Sequence, residues 1–374
     1  MIREALGLIY TGEQDSSLKD LTLSRSVAAM PMWGRYRAID FLLSNLVNSG
    51  VGNVAVITQR RYHSLMDHLG SGRDWDLNRK REGLFILPPF MTKDDSGIYR
   101  GSVDALRSAK GFLKHARQQY VILSGSHVLF KTTYNEALEH HIKTGADITV
   151  FYNHVKPDEM RELGERTHFQ MDRTGQIYEI ECNPAHPKSD QVSMGVYIVD
   201  KALLEYLVEE CASRDEFRFT EGILIPKLKN LKIMGYEYPG YVARLESVYS
   251  YFHHNLMALD DKVRQELFYE SGPVFTKVKD EVPALYGNEG EADNCMVADG
   301  CIVEGHVENS ILFRGVKVGK GAVVKNSVIM QASEIQDGAL LENVILDKQA
   351  IVRHAKKLVG QPNFPIIVGK QTVI

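Results

Sequence analysis

The run Tyr120-Val121-Ile122-Leu123-Ser124-Gly125-Ser126-His127 has the form of an apolar strand ending in a Gly-Asp-His turn from which the aspartate has been removed. An aspartate there would offer a carboxylate to a divalent cation, and Mg²⁺ held by paired carboxylates is the usual means of bringing phosphate anions together. Serine offers only a neutral hydroxyl. A second place where chemistry could sit is Thr11-Gly12-Glu13-Gln14-Asp15-Ser16-Ser17-Leu18, just after the apolar residues 6–10. Glycines in such a turn let backbone N–H groups converge on phosphate oxygens, because no Cβ intrudes. Only Gly12 meets that need, and a carboxylate such as Glu13 or Asp15 facing a polyphosphate at 4 Å would repel it by about 4 kcal/mol at an effective dielectric near 20.

Other polar clusters carry less. The pairs His140-His141 and His253-His254 lie in helical text, where adjacent residues point to different faces and lack the spacing of a helical zinc pair. Arg60-Arg61 and Arg79-Lys80-Arg81-Glu82 read as solvated or interfacial faces, and Asp74-Trp75-Asp76 as a loop with an aromatic anchor. Cys182, Cys211, Cys295 and Cys301 form no Cys-x-x-Cys pair and read as free thiols.

The elements that must position these residues follow from pattern. At 374 residues the chain has room for two domains, and 44% hydrophobic with 25% charged residues is the composition of a folded globular protein. A formal net charge of -4 offers no general attraction to nucleic acid or anionic membranes. No apolar run approaches a membrane span, and the short apolar stretch after Met1 lacks the form of a signal peptide, so a cytoplasmic location is expected. Residues 5–255 alternate short apolar strands with helical segments, as in 6–10, 39–47 and 54–58. That alternation predicts parallel strands with helical crossovers and ligands at the strands' carboxyl ends. From about residue 295, apolar residues recur at every sixth position, as in Val323, Ile329, Ile335 and Leu341, with a neighbouring phase at Leu340, Leu346 and Val352. A six-residue period predicts a parallel β-helix, whose open ends and flanks commonly make subunit contacts.

Further segments carry a family resemblance. Gly34-Arg35-Tyr36-Arg37-Ala38-Ile39-Asp40-Phe41 is similar to a Gly-Lys-Phe-Arg-x-x-Asp-Phe segment, followed in register by Leu43-Ser44-Asn45 and Asn48-Ser49-Gly50. Tyr99-Arg100-Gly101-Ser102-Val103-Asp104-Ala105 and Ser193-Met194-Gly195-Val196-Tyr197 match segments beside the nucleotide and the sugar. Along nearly its whole length the chain resembles glucose-1-phosphate adenylyltransferase, also called ADP-glucose pyrophosphorylase, and within that family the poorly active regulatory subunit that some bacteria pair with a catalytic one.

The resemblance implies an α/β, Rossmann-like nucleotidyltransferase (GT-A-like) domain over residues 1–255, a helical connector over 256–290 and a left-handed parallel β-helix over 291–374. It also implies where the site has decayed. Ser17 stands for the loop arginine, Val27 for the lysine of an Arg-x-Lys-Pro segment, Asn183 for the sugar-phosphate lysine, and Ser126 and Tyr241 for the two metal-binding aspartates. A substrate-like pocket would retain Gly12, Tyr99, Gly101, Asp104, Ser193 and Gly195. Asp40, Asn45 and Asp104 also read as buried hydrogen-bonding residues that hold loops. Arg25 and Arg37 match basic positions near the family's effector site, where arginine suits anions through charge-assisted bonds, although Ser24 and Pro31 depart from other effector positions.

The resemblance further implies a regulatory subunit without a metal of its own, Mg²⁺ being expected only in a catalytic partner, within a tetramer that involves neither nucleic acid nor membrane. Two other readings remain open at this point: an active enzyme using a relocated carboxylate such as Asp104 or Asp20, and a stand-alone sugar-phosphate sensor.

Overall fold

The computed structural model describes residues 2–12, 16–89, 99–156 and 166–374. Its first layer is a nine-stranded sheet whose interior includes the strand Ala5–Tyr10, buried at every residue. That strand pairs in parallel with Asn53–Ile57 on one side and with Tyr120–Ser124 on the other, and Asn53–Ile57 pairs in parallel with Gly83–Leu87. Continuous Val, Ile and Leu in these strands suit a sheet covered on both faces. One face carries the helix Ala38–Ser49, which packs Ile39, Leu42, Leu43 and Leu46 with Ile9, Val54 and Val56. The opposite face packs Val103 and Leu106 of the helix Ser102–Ser108, and Leu204 and Leu207 of Lys201–Ala212, with Leu6, Leu8 and Leu123.

The sheet is mixed, where the alternating pattern predicts parallel pairing. The long strand Gln191–Asp200 runs antiparallel to Tyr120–Ser124 and to Ile148–His154. Its sequence is apolar on both faces near its end, so burial pattern alone does not reveal direction.

The second domain is a left-handed parallel β-helix of three five-stranded sheets. Its inward side chains stack in columns: Val318 pairs with Ile335 and Ile335 with Val352, Val324 with Leu341, and Ile329 with Leu346. All are at most 1% exposed. These partners lie seventeen residues apart, so the coils between Val318 and Val352 advance six, five and six. The missing residue per coil explains why the six-residue pattern shifts phase, and why the inward residue is Val324 while its neighbour Val323 is only partly buried.

Between the domains, the helices Val248–Met257 and Asp261–Phe268 contribute Tyr251, Phe252, Val263 and Leu267 to a core that also contains Ile311, Val328 and Ile345 of the solenoid. Within the expected helical connector over 256–290, helix ends at Phe268 because Ser271 and Gly272 take positive φ and Pro273 follows. The first solenoid strand is Leu285–Tyr286, paired with Ile302–Val303. The domains are also joined by a buried ion pair: Nη2 of Arg25 donates to both carboxylate oxygens of Asp347 at 2.7 and 2.9 Å, and each side chain is 2% exposed. Among the described residues no helix is long and apolar enough to cross a membrane. The four cysteines are free thiols.

Candidate functional site

A cleft of ≈ 610 Å³ opens where the parallel strands end. Tyr10, Thr11 and Gly12 after the first strand, Gln59 and Arg60 after the second, and Ser124, Gly125 and His127 after the third all line it, as expected for ligands at carboxyl ends. Close backbone approach shapes its rim. Gly101 is extended at φ -179, and a Cβ there would run into the Phe217 carbonyl, which accepts the Val103 N–H at 2.9 Å. Gly195 sits at φ 65, and its carbonyl accepts the Gly125 N–H at 3.1 Å.

Of the expected pocket residues, Gly12, Tyr99, Gly101, Ser193 and Gly195 line the cleft, together with Ser17, Val27 and Asn183. Asp104 is not among the lining residues. Its carboxylate accepts from the Arg100 N–H and Nε, both at 3.2 Å, and so orients Arg100, whose guanidinium lies 3.7 Å from the Phe217 ring centroid. Asp20 does not line the cleft either. Glu13 and Asp15, whose repulsion of a polyphosphate was expected, lie outside the described residues. Asn45 holds the wall from behind, its Nδ2 donating to Phe130 O at 2.9 Å and its Oδ1 accepting from Thr132 N at 3.2 Å. Asp40, wholly buried, accepts from Arg37 N at 2.9 Å and shares a 2.6 Å hydrogen bond with His68 Nε2.

Tyr241, expected at the second metal position, does not stand beside the Ser126 turn; strand register brings Arg244 there instead. Residues Ala243–Arg244 pair antiparallel with Val128–Leu129, placing Arg244 opposite Val128, and Leu245 N donates to His127 O at 2.7 Å. Arg244 therefore stands beside the Ser126 turn and lines the cleft. Tyr241 lies outside the lining, its hydroxyl sharing a 2.7 Å hydrogen bond with His254 Nδ1. Ser126 itself is completely buried, and its neighbours Gly125 and His127 line the cleft. Arg244 is 5% exposed; Nη1 donates to Ser193 O at 3.0 Å and Nη2 to Asn153 Oδ1 at 2.5 Å.

The charge of the cleft was not evident from sequence. Among the described residues, Arg60, Arg61, Arg100, Arg166, Arg218 and Arg244 line it, with the carboxylates Glu221 and Glu246. Apart from the Arg60-Arg61 pair, these arginines are scattered over nearly two hundred residues and carry no motif; the fold collects them.

A second, smaller cavity of ≈ 60 Å³ lies between the domains. Arg35, Arg37, Lys277, Lys279, Arg314 and Lys348 line it, with Asp67 the only carboxylate among the described residues. Arg37 enters it while its Nη1 donates to Ser64 O at 2.6 Å. Arg25 does not line it, being committed to Asp347. Burial, with neighbouring Arg37 and Arg25, pushes the Lys348 ammonium down to about 7. Burial likewise lowers Arg314, Arg37 and Lys279. Arg314 is 7% exposed, and its Nε and Nη2 find no hydrogen-bond partner among the described residues. Unpaired buried cationic donors are costly, and Asp299 and Glu281 act on Arg314 from nearby.

Comparison with known proteins matches these two halves separately. The nucleotidyl transferase family matches residues 6–232, and a GlmU-like C-terminal hexapeptide family matches residues 280–362. The chain is 37% identical to the glycogen biosynthesis protein GlgD of Bacillus subtilis (strain 168), over 99% of its own length and 97% of that protein's. Two relatives come from Geobacillus stearothermophilus. One, again a glycogen biosynthesis protein GlgD, is 37% identical over 87% of this chain and 84% of its own. The other, a glucose-1-phosphate adenylyltransferase, is 34% identical over 87% and 84%.

Proposed function

Because the chain belongs to the glucose-1-phosphate adenylyltransferase family of nucleotidyl transferases, we propose that it is a regulatory subunit of that enzyme, acting in glycogen biosynthesis by association with a catalytic homologue. The observation that carries this reading is the pair of groups at the strand ends. Where the chemistry calls for two carboxylates, this chain presents the Ser126 turn and the Arg244 guanidinium. A lone hydroxyl beside a guanidinium does not make a magnesium site, for which one or two carboxylates are the usual protein donors. The sugar-phosphate lysine is also gone: Asn183 takes φ 50 and its Oδ1 accepts the Arg166 N–H at 2.6 Å.

Two matched relatives in Geobacillus stearothermophilus, one of each name, suit a system of two chain types. A surface for association is available on the first solenoid coil. There Val278, Val282, Leu285 and Tyr286 are exposed, and the strands Leu285–Tyr286, Glu291–Asp293 and Met296–Val297 each end a sheet with an unpaired edge. A tetramer of the two chain types, in the cytoplasm, is the assembly this reading entails. Regulation enters through the basic cavity, whose six cations and unpaired Arg314 donors suit a sugar phosphate or inorganic phosphate as effector.

The test is ADP-glucose synthesis by this chain alone, by a catalytic glucose-1-phosphate adenylyltransferase alone, and by the two mixed, with and without sugar phosphates and phosphate. Silence of this chain alone with a higher rate in the mixture supports the regulatory reading. Magnesium-dependent synthesis by this chain alone, or a mixture no faster than the catalytic chain, overturns it.

A further inference from the structure

We propose that Lys348 is a site of N-acylation, its amine taking the acyl group of a small acyl phosphate held in the cavity between the domains. This rests on the reading of that cavity as an anion site and adds a covalent outcome to it.

Solenoid register sets out the groups. Leu312, Ile329 and Leu346 are paired across three successive coils, so Arg314, Gln331 and Lys348, each two residues further on, form a column, and all three line the cavity. Neighbouring strands are roughly 4.8 Å apart, which puts the Arg314 and Lys348 backbones about 10 Å apart with Gln331 between them. Long side chains at the two ends of that span leave room for one phosphate and one small acyl group. Arg35 and Arg37 line the cavity from the sheet domain. Guanidiniums bind phosphate oxygens bidentately. Asp299 and Glu281 act on Arg314 from nearby, but neither lines the cavity, and Asp67, which does, lies 3.6 Å from Lys277 Nζ.

The Lys348 amine is left out of the ion pairs around it. Its neighbour Asp347 turns both carboxylate oxygens to Arg25, at 2.7 and 2.9 Å, and Oδ1 also accepts the Lys348 backbone N–H at 2.6 Å. Lys277 instead donates to the Asp67 carbonyl at 2.6 Å, and Lys279 is exposed, with Glu281 acting on it. Burial, with Arg37 and Arg25 and against Asp347, holds the Lys348 ammonium at about 7. Near neutrality about half of it is therefore free amine, against about one part in a few thousand for an ordinary exposed lysine. His68 and Tyr36 also line the cavity, and His68 is engaged by Asp40 at 2.6 Å.

In the reaction the Nζ lone pair attacks the acyl carbon, and the bond from that carbon to the phosphate oxygen breaks. Inorganic phosphate leaves with the bonding pair, and the surplus amine proton passes to it. The guanidiniums hold the leaving phosphate, and the Gln331 amide can donate to the acyl oxygen as negative charge develops there. The product is a neutral amide that removes a cation from the cavity and occupies part of its space.

The experiment is incubation of the full chain with acetyl phosphate near neutral pH, followed by peptide mass spectrometry of acetyl occupancy at each lysine over time. Lys348 should be acetylated at least about tenfold faster than the exposed Lys356 and Lys357. Sulfate should slow the reaction at Lys348 and leave those two unaffected. Arg314→Gln should slow it about tenfold with acetyl phosphate, the equivalent of one hydrogen bond to a charged group, and less than about twofold with the N-hydroxysuccinimide ester of acetate, which carries no phosphate.

Acetylation of Lys348 no faster than that of Lys356 and Lys357 overturns the proposal, and so does a rate at Lys348 that neither sulfate nor Arg314→Gln changes. Calorimetric titration of the same protein with sulfate separates this outcome from the effector reading. Sulfate bound without preferential acetylation would sink only the acyl transfer, whereas no sulfate binding would sink both.

Discussion

Arg244 changes what restoring the missing carboxylates would accomplish. Introducing Ser126→Asp alone places a carboxylate beside a guanidinium, and an ion pair should form in preference to a metal site. Adding Tyr241→Asp should not help, because Tyr241 is directed at His254. The double variant Ser126→Asp with Arg244→Asp removes the cation and supplies two carboxylates, so it should gain Mn²⁺ binding detectable by electron paramagnetic resonance. Its synthesis rate should still fall far below that of a catalytic relative, since Ser17, Val27 and Asn183 remain. Equal Mn²⁺ binding by the Ser126→Asp, Tyr241→Asp protein would refute the register argument.

Lys348 gives a second prediction at this scale. Its ammonium, lowered to about 7, is charged below that pH and neutral above it, so an anion in the small cavity loses one cation as pH rises. Sulfate, whose own charge is constant in this range, should bind less tightly above pH 7, by up to about tenfold per pH unit. Lys348→Met should flatten that dependence. His68 and Lys279 also face the cavity, each with its protonated form disfavoured by burial. An unchanged slope in Lys348→Met would assign the titration to one of them.

Among the elements, the two domains share a core and the Arg25–Asp347 ion pair, and each can be probed. Removing one member of a buried ion pair leaves the other unpaired, at a cost of about 3–5 kcal/mol. Asp347→Ala should therefore lower the urea midpoint markedly, and Arg25→Ala should do so by a similar amount. The double variant should be less destabilised than the sum, because each single change already breaks the same bond.

Within the solenoid, Leu341 is fully buried in a column with Val324. Leu341→Ala should cost about 2–5 kcal/mol through lost burial and the cavity left behind. Amide exchange should show that loss in the coils and not in the nine-stranded sheet. The six-residue period in the sequence was enough to identify the solenoid. It did not reveal the five-residue step in the central coils, because a corner that turns with one residue fewer leaves no mark on composition and appears only when the coils are stacked in register.

For the whole molecule, regulation without chemistry needs a coupling of about 1–3 kcal/mol between subunits, enough to alter a partner's affinity roughly 5–150-fold. Arg314→Gln offers a way to separate two contributions. In a mixture with a catalytic homologue it should abolish the response to phosphate effectors while stimulation by association persists. Loss of both would mean that Arg314 serves folding or assembly, and retention of both would remove the small cavity from regulation.

What the amino-acid sequence by itself determined was the two-part architecture, and it is also the source of the reading that the phosphate and metal motifs have decayed. Periodicity and short contiguous segments such as Ser124-Gly125-Ser126-His127 are local properties, set by neighbours in the chain. Tertiary structure alone decided which residue faces the Ser126 turn, that Arg25 closes a buried pair with Asp347, and that six scattered arginines share one cleft while six other cations share a cavity. Those are properties of strand register and domain packing, in which residues hundreds of positions apart come together because burying apolar surface on both faces of the sheet and against the solenoid leaves the chain no other arrangement.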